Sequence, residues 1–258
     1  MTSWANMKTI PLKKKEPMIR SYFSSPSNDY TTSTLGFLYS FLYCQRSAEP
    51  YYIYDPNGYF QPLLKTSPIL HFLKDLPSQA TNFASDPQTL APVLNSMSLP
   101  TLKRITDSIL QYNNETNYKI DTFLSNFGLT KQTFDVGIVL DVSGCVPIVN
   151  SGLKLFQKRT GKKTLKVFVM TENMEYLREF ATSGDPSWSY TSLMRMNAPT
   201  EKDYQLTKIL AELRIMQQVD FLAFRFATPL GKLLYLTNPK VNAESQVISV
   251  DGQGWKAL

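Results

Sequence analysis

Residues 200–235, TEKDYQLTKILAELRIMQQVDFLAFRFATPLGKLLY, read as helix, strand, polar loop and second helix, and no other segment restricts the fold so strongly. Leu206, Ile209, Leu210, Leu213, Met216 and Val219 recur at helical spacing and form one apolar stripe for a sheet to cover. Thr200 and Asp203 resemble a capping box that would start this helix. Phe221-Leu222-Ala223-Phe224 is a continuous apolar run, as a strand buried on both faces requires. Arg225, Ala227 and Thr228 then break the pattern before Pro229, which suits the first position of a helix. In a parallel sheet, a loop between strand end and helix start directs N–H groups and the helix dipole at an anion.

The same alternation extends upstream. Residues 136–142 (VGIVLDV) form a predicted strand ending at Ser143-Gly144, residues 148–158 a crossover helix, and residues 165–170 (LKVFVM) a strand ending at Thr171-Glu172-Asn173. A helix over 174–180 and a polar loop around 184–188 complete the segment. Strands joined by short helical links must lie parallel. The fold class is therefore α/β, with residues 131–258 as a C-terminal lobe carrying a parallel sheet. Residues 29–130 read as a less regular N-terminal lobe: a buried helix at 35–44, a strand at 51–54 closed by Asp55-Pro56-Asn57-Gly58, a proline-broken stretch, and two helical patterns within 101–129. Residues 1–28, with Lys8, Lys13, Lys14, Lys15 and Arg20, are expected to form a basic arm outside the core.

Composition excludes several classes. A chain of 258 residues, 43% hydrophobic and 19% charged, can bury a sizeable core, and no apolar run reaches the ~20 residues of a membrane span. The N-terminal sequence lacks the apolar stretch of a secretion signal, which implies a cytoplasmic setting. Cys44, Cys145 and His71 are too few for a disulfide framework or a four-ligand zinc site. His71, between Leu70 and Phe72, reads as a core histidine. There is no P-loop, G-x-S-x-G elbow, Asp-x-Asp pair or dinucleotide glycine fingerprint. The net charge of +6 favours anionic partners, but without an aromatic RNA motif it does not point to nucleic acid.

Three segments carry a resemblance. The strand at 136–140 with its polar turn, VFVMTEN at 167–173, and Glu212 preceding DFLAFRFATPLGKLLY resemble, in order and spacing, the three motifs of the α1,6-fucosyltransferase and Nod-factor fucosyltransferase family. The likeness spans about 200 residues. It implies a GT-B arrangement of two Rossmann-like lobes and inverting, metal-independent transfer of fucose from GDP-fucose to a glycan or protein acceptor. It also implies that Glu172, Glu212, Ala227, Thr228 and Lys232 lie along the nucleotide-sugar site, to which the loops after the strands add Ser143, Gly144 and Arg225 as candidates. The chain departs from the family where two arginines should serve the donor pyrophosphate: Asp141 and Val142 stand there instead, and a carboxylate repels phosphate.

Each of these residues has two readings. Asp141 is either a general base or substrate ligand, or it caps the turn before Gly144. Thr228 is a phosphate ligand or a helix cap. Glu212 is a ribose-binding carboxylate or an exposed helix flank. Arg225 and Lys232 replace the missing positive charge or are surface cations. The sequence thus supports a nucleotide-sugar glycosyltransferase, or a catalytically inactive scaffold of the same descent that binds a protein or glycan.

Overall fold

The computed structural model describes residues 21–24, 27–47, 51–65, 67, 69–75, 80–82 and 96–255; the lysine run of the expected arm lies outside them. In the N-terminal half, β1 (Ser21–Tyr22) pairs in parallel with β4 (Thr81–Asn82), and β2 (Tyr51–Tyr54) with β3 (Leu70–Leu73). A bridge from Phe23 to Ile53 joins the two pairs. Tyr22 and Phe23, assigned from sequence to the arm, are instead buried, Phe23 edge-on to Phe37 and Phe60. Helix α1 (Tyr30–Ser47) is apolar nearly all round and supplies Phe37, Leu38 and Phe41 to the core. Asp29 caps it, accepting from Thr32 N–H and Thr31 Oγ1, both at 2.7 Å. His71 is exposed on β3, its ring tilted against Tyr52, so it is not a core histidine. Helices α2 (Leu99–Ile109) and α3 (Asn114–Asn126) follow.

The C-terminal half alternates strictly: β5 (Val136–Val139), α4 (Cys145–Thr160), β6 (Leu165–Met170), α5 (Met174–Ser183), β7 (Trp188–Thr191), α6 (Lys202–Met216), β8 (Phe221–Phe224), α7 (Pro229–Thr237) and β9 (Val247–Ser249). The five strands form one parallel sheet in the order β7-β6-β5-β8-β9. Side-chain alternation then builds three layers. Val136, Ile138, Val167, Val169, Phe221 and Ala223 face α4 and α5, while Val139, Phe168, Met170, Leu222 and Phe224 face α6 and α7. Gly137 lets α6 approach closely, since a Cβ there would lie 2.3 Å from Met216 Sδ. The chain therefore has an α/β fold in which a five-stranded parallel sheet flanked by helices follows an N-terminal half with two short parallel strand pairs. A single apolar cluster running from Phe23 and Tyr51 to Met216 and Tyr235 joins the two halves of the chain. Among the described residues no helix is long and apolar enough to cross a membrane.

Several boundaries differ from expectation. The strand expected over 136–142 stops at Val139, and beyond it Asp141 pairs with Arg225. Helix α6 starts at Lys202 behind Glu201, which makes no side-chain cap, so the Thr200–Asp203 capping box does not form. Residues 188–191, expected within a loop, form edge strand β7, too short for its alternation to register.

Candidate functional site

The sheet is wound outward in two directions from its centre. From β5 the chain adds β6 and β7 on one side, then returns to add β8 and β9 on the other, so the connections part company between β5 and β8. In open α/β sheets ligands bind in the crevice outside the carboxyl ends of the strands at this point. Asp141 follows β5 and Arg225 follows β8. Across the crevice they form a fork: Arg225 Nε lies 3.1 and 3.2 Å from the two Asp141 oxygens, and its terminal nitrogen 2.9 Å from Oδ2. Both side chains are about 30% exposed (31% and 29%), so the pair can exchange partners with a ligand. The hydrogen bond to Asp141 raises the Arg225 pKa; burial opposes this, and the charges of Asp141 and Asp251 add to it.

Asp251, which the sequence reading passed over, completes this cluster. It follows β9, and its carboxylate accepts from Ala227 N–H at 2.8 Å and Phe226 N–H at 3.3 Å. These are N–H groups of the loop expected to cradle an anion, and the anion they hold is a side chain of the same protein. Burial raises the Asp251 pKa, but hydrogen bonds from Ala227, Ser249, Gln253 and Phe226 outweigh it and leave a net lowering. Thr228 caps α7: its Oγ1 accepts from Gly231 N–H at 3.0 Å and donates to the Arg225 carbonyl at 2.9 Å. Of its two readings, the structure shows the cap. Gly231 is obligatory, because a Cβ would sit 2.0 Å from the Arg225 carbonyl oxygen. Lys232, one turn into α7, is half-buried, and burial lowers its pKa.

Two cavities open beside this cluster, sharing Asp29, Glu172 and Ile209 in their walls. The larger, about 400 Å³, lies over the ends of β5 and β6, with Asp141, Thr171, Glu172 and Asn173 around it and Leu230 of α7 at its edge. The start of α1, Asp29 and Thr31, closes it from the N-terminal lobe. Thr171 and Asn173 are fixed: Thr171 Oγ1 donates to the Leu140 carbonyl at 2.7 Å, and Asn173 caps α5 through Glu175 N–H at 2.8 Å. At Asp29 burial raises the pKa, but the bonds from Thr32 and Thr31 dominate and the net shift is downward. Ser143 and Gly144 are exposed in the β5–α4 turn, where Gly144 takes the left-handed conformation at φ 75°; neither lines either cavity.

The smaller cavity, about 250 Å³, lies between Asn28 to Tyr30, Tyr59 and α6. Glu212 is at its floor. Far from being an exposed helix flank, it is 1% exposed, because α6 is covered by the sheet on one side and by α3 on the other. Its Oε1 has no hydrogen-bond partner. Lys208, one turn earlier and also buried, stands 3.9 Å away and instead bonds Glu172 at 2.5 Å. Desolvation pushes the Glu212 pKa up to about 8; Lys208 opposes the shift and Glu172 adds to it. The carboxyl group is thus largely protonated near neutrality and can donate as well as accept a hydrogen bond. The i,i+4 spacing of Lys208 and Glu212 was a signal available in the sequence.

No family model matches this chain, and no curated protein matches it by sequence. Solved structures do match its fold. NodZ α-1,6-fucosyltransferase soaked with GDP-fucose aligns over 86% of this chain and 93% of its own, with TM-score 0.56 and 9% identity. Fucosyltransferase NodZ from Bradyrhizobium gives TM-score 0.55 at 8% identity, over 86% and 94%. This chain has a fucosyltransferase-like GT-B fold. Arabidopsis thaliana FUT1, as a mutant in complex with GDP, aligns over 87% and 70% with TM-score 0.53 and 10% identity.

Within this fold the departure at Asp141 and Val142 acquires a geometry. Arg225, across the crevice after β8, brings a positive charge against Asp141. With Asp141 and Asp251 against it, the cluster has one cation and two carboxylates.

Proposed function

We propose that this chain is a glycosyltransferase that takes a nucleotide sugar in the cleft formed by the two cavities and transfers the sugar, with inversion and without a metal, to a glycan or protein acceptor. The observation that carries this reading is the unpartnered, buried Glu212 carboxyl oxygen at the floor of a cavity that adjoins the strand-end crevice. A buried polar atom without a partner costs stability, and a nucleoside hydroxyl or N–H would satisfy it. GDP-fucose is the donor to test first, since NodZ α-1,6-fucosyltransferase, which has a similar fold, was soaked with that compound.

The reaction rests on partner exchange at Arg225. A donor phosphate arriving at the ends of β5 and β8 competes with Asp141 and Asp251 for the guanidinium. When Arg225 turns to the phosphate, Asp141 is released at the mouth of the larger cavity and takes the proton of the acceptor hydroxyl as its oxygen bonds to the anomeric carbon of the sugar, whose bond to the phosphate oxygen breaks to release the nucleoside diphosphate against Arg225. Glu172, 82% exposed at its side chain, borders both cavities, and Lys208, its partner, lines the smaller one. Calorimetry with GDP, UDP and their sugars tests the reading. Arg225→Ala should weaken nucleotide binding, whereas Asp141→Asn should bind as well or better and transfer nothing. No heat with any nucleotide at millimolar concentration would overturn it.

One observation favours the second reading, an inactive glycosyltransferase-like binding protein. Arg225 and the N–H groups of Phe226 and Ala227 are already engaged by two carboxylates. On that reading Arg225→Ala and Asp141→Asn are both silent for nucleotide binding, and the wild type transfers no sugar.

A further inference from the structure

Helix α4 covers the face of the sheet opposite α6 and α7, and its outer side has an unusual composition. Its inner side packs Val146, Val149, Leu153 and Phe156 onto the strands. Its outer side carries Leu155, 69% exposed, and Ile148, 45% exposed. Seven residues apart, these project within about 20° of each other around the helix axis. The other exposed large apolar residues among those described, Ile69, Tyr118, Tyr190 and Met196, lie on separate elements. On the same outer side, toward the end of the helix, stands Lys158, exposed, with Lys154 flanking, while the exposed Arg159 reaches back over the rings of Phe156 and Phe221 at 6.0 Å. The turn after Gly161, in the left-handed conformation at φ 68°, folds Lys162 and Lys163 back beside these lysines. Lys154, Lys158, Lys162 and Lys163, with Gln157 and Asp185, surround a depression of about 400 Å³. Lys162 also bonds Asp135.

We propose that this face docks on an anionic phospholipid bilayer, with a lipid phosphate headgroup in the lysine-lined depression and Leu155 and Ile148 inserted among the acyl chains. The pairing of the two features selects the partner. Lysines alone would suit any polyanion, but exposed branched aliphatic side chains gain free energy only where apolar material receives them. Helix α4 can lie flat on such a surface: Ile148 to Arg159 spans about 16 Å along the axis at 1.5 Å per residue. The headgroup depression then sits at the C-terminal end of α4, away from the crevice where the helix begins. The surface is thus separate from the cleft, and its test is independent of transferase activity.

Co-sedimentation of the full chain with phosphatidylcholine vesicles, and with vesicles of phosphatidylcholine and phosphatidylserine at 7:3, tests this at 0.1 M salt. Binding is expected to the second and not the first. Each lysine near an anionic surface strengthens partition about fivefold, so Lys158→Glu with Lys163→Glu should lower it at least twenty-fivefold. Leu155→Ser should lower it about tenfold. Arg104→Glu, an exposed site on α2, makes a single charge reversal elsewhere and should change it less than twofold. All four positions are exposed, and unchanged circular dichroism and melting temperature verify the fold. Loss with Arg104→Glu equal to that with Lys158→Glu and Lys163→Glu together would overturn the proposal, as would indifference to Leu155→Ser. Retention of a duplex RNA oligonucleotide that is insensitive to Leu155→Ser, with no retention on the vesicles, would assign the face to nucleic acid instead.

Discussion

Replacing Glu212 by Gln removes one titration and almost no volume, so it isolates the energetic consequence of burying this carboxyl group. In the folded chain its pKa is pushed to about 8, against an ordinary value of 4.5. A carboxyl whose folded pKa is raised contributes stability that is fully present below the unfolded pKa and lost as pH rises through the folded one. The slope is about 1.4 kcal/mol per pH unit, so across this window the wild type should lose on the order of 5 kcal/mol relative to Glu212→Gln. For a chain of this size each kcal/mol moves Tm by roughly 2–4 °C, which places the effect at about 10 °C or more. Thermal unfolding of both proteins from pH 5 to pH 9 measures it: the difference should be smallest at pH 5 and should grow to favour the variant by pH 9. Removing the nearby cation with Lys208→Met should move the wild-type transition to higher pH, because Lys208 opposes the shift. A difference between wild type and Glu212→Gln that stays flat across this range would refute the argument that desolvation governs this group.

Gly231→Ala places a methyl group 2.0 Å from the Arg225 carbonyl oxygen and should destabilise by about 3 kcal/mol or more, read by urea unfolding. Thr228→Ala removes the α7 cap and should cost about 1 kcal/mol in the same assay, with little effect on nucleotide affinity if the side chain is a cap only. Asp251→Asn removes one of the two negative charges at the strand-end crevice and should tighten GDP binding about tenfold, equivalent to about 1.4 kcal/mol, in calorimetry; weaker binding would show that Asp251 assists the ligand.

The regular half of the fold was legible because the requirement on its strands is severe. A parallel strand covered on both faces must be apolar at every position, and VGIV, LKVFVM and FLAF satisfy this with one exception, Lys166, which is exposed. Edge strand β7 need satisfy it on one side only, and WSYT carries no such signal. At the site, residue types were legible and their pairing was not. That Asp141 and Arg225 would meet follows from strand order, since β5 and β8 are adjacent although 84 positions separate the two residues. Asp251 was invisible for the same reason: it reaches the Ala227 N–H only because β9 joins the sheet beside β8. The burial of Glu212 was hidden by the helix that carries it, which left a binding carboxylate and an exposed flank both open. The stripe on α6 predicts one covered side, but α3 covers the other, partly through Arg214 and Asp121 at 2.7 Å.

These placements together constrain how any anionic ligand can use the crevice. A site with an uncommitted arginine pair would gain two charge-assisted hydrogen bonds, each worth about 1.5–3 kcal/mol, as the phosphate arrives. Here the single arginine must first give up bonds it already makes to Asp141, and Asp251 keeps a negative charge beside it. The net gain from phosphate is therefore smaller, and more of the binding energy has to come from the nucleoside end, where Glu212 lacks a partner and the cavity walls include Tyr30, Leu206 and Ile209. In the proposed transferase the same exchange would give the displaced carboxylate a function: Asp141 is held by Arg225 and would be freed as the base only when phosphate takes the guanidinium. In the scaffold reading the Asp141–Arg225 fork has no such consequence and is simply a bridge that closes the crevice between β5 and β8.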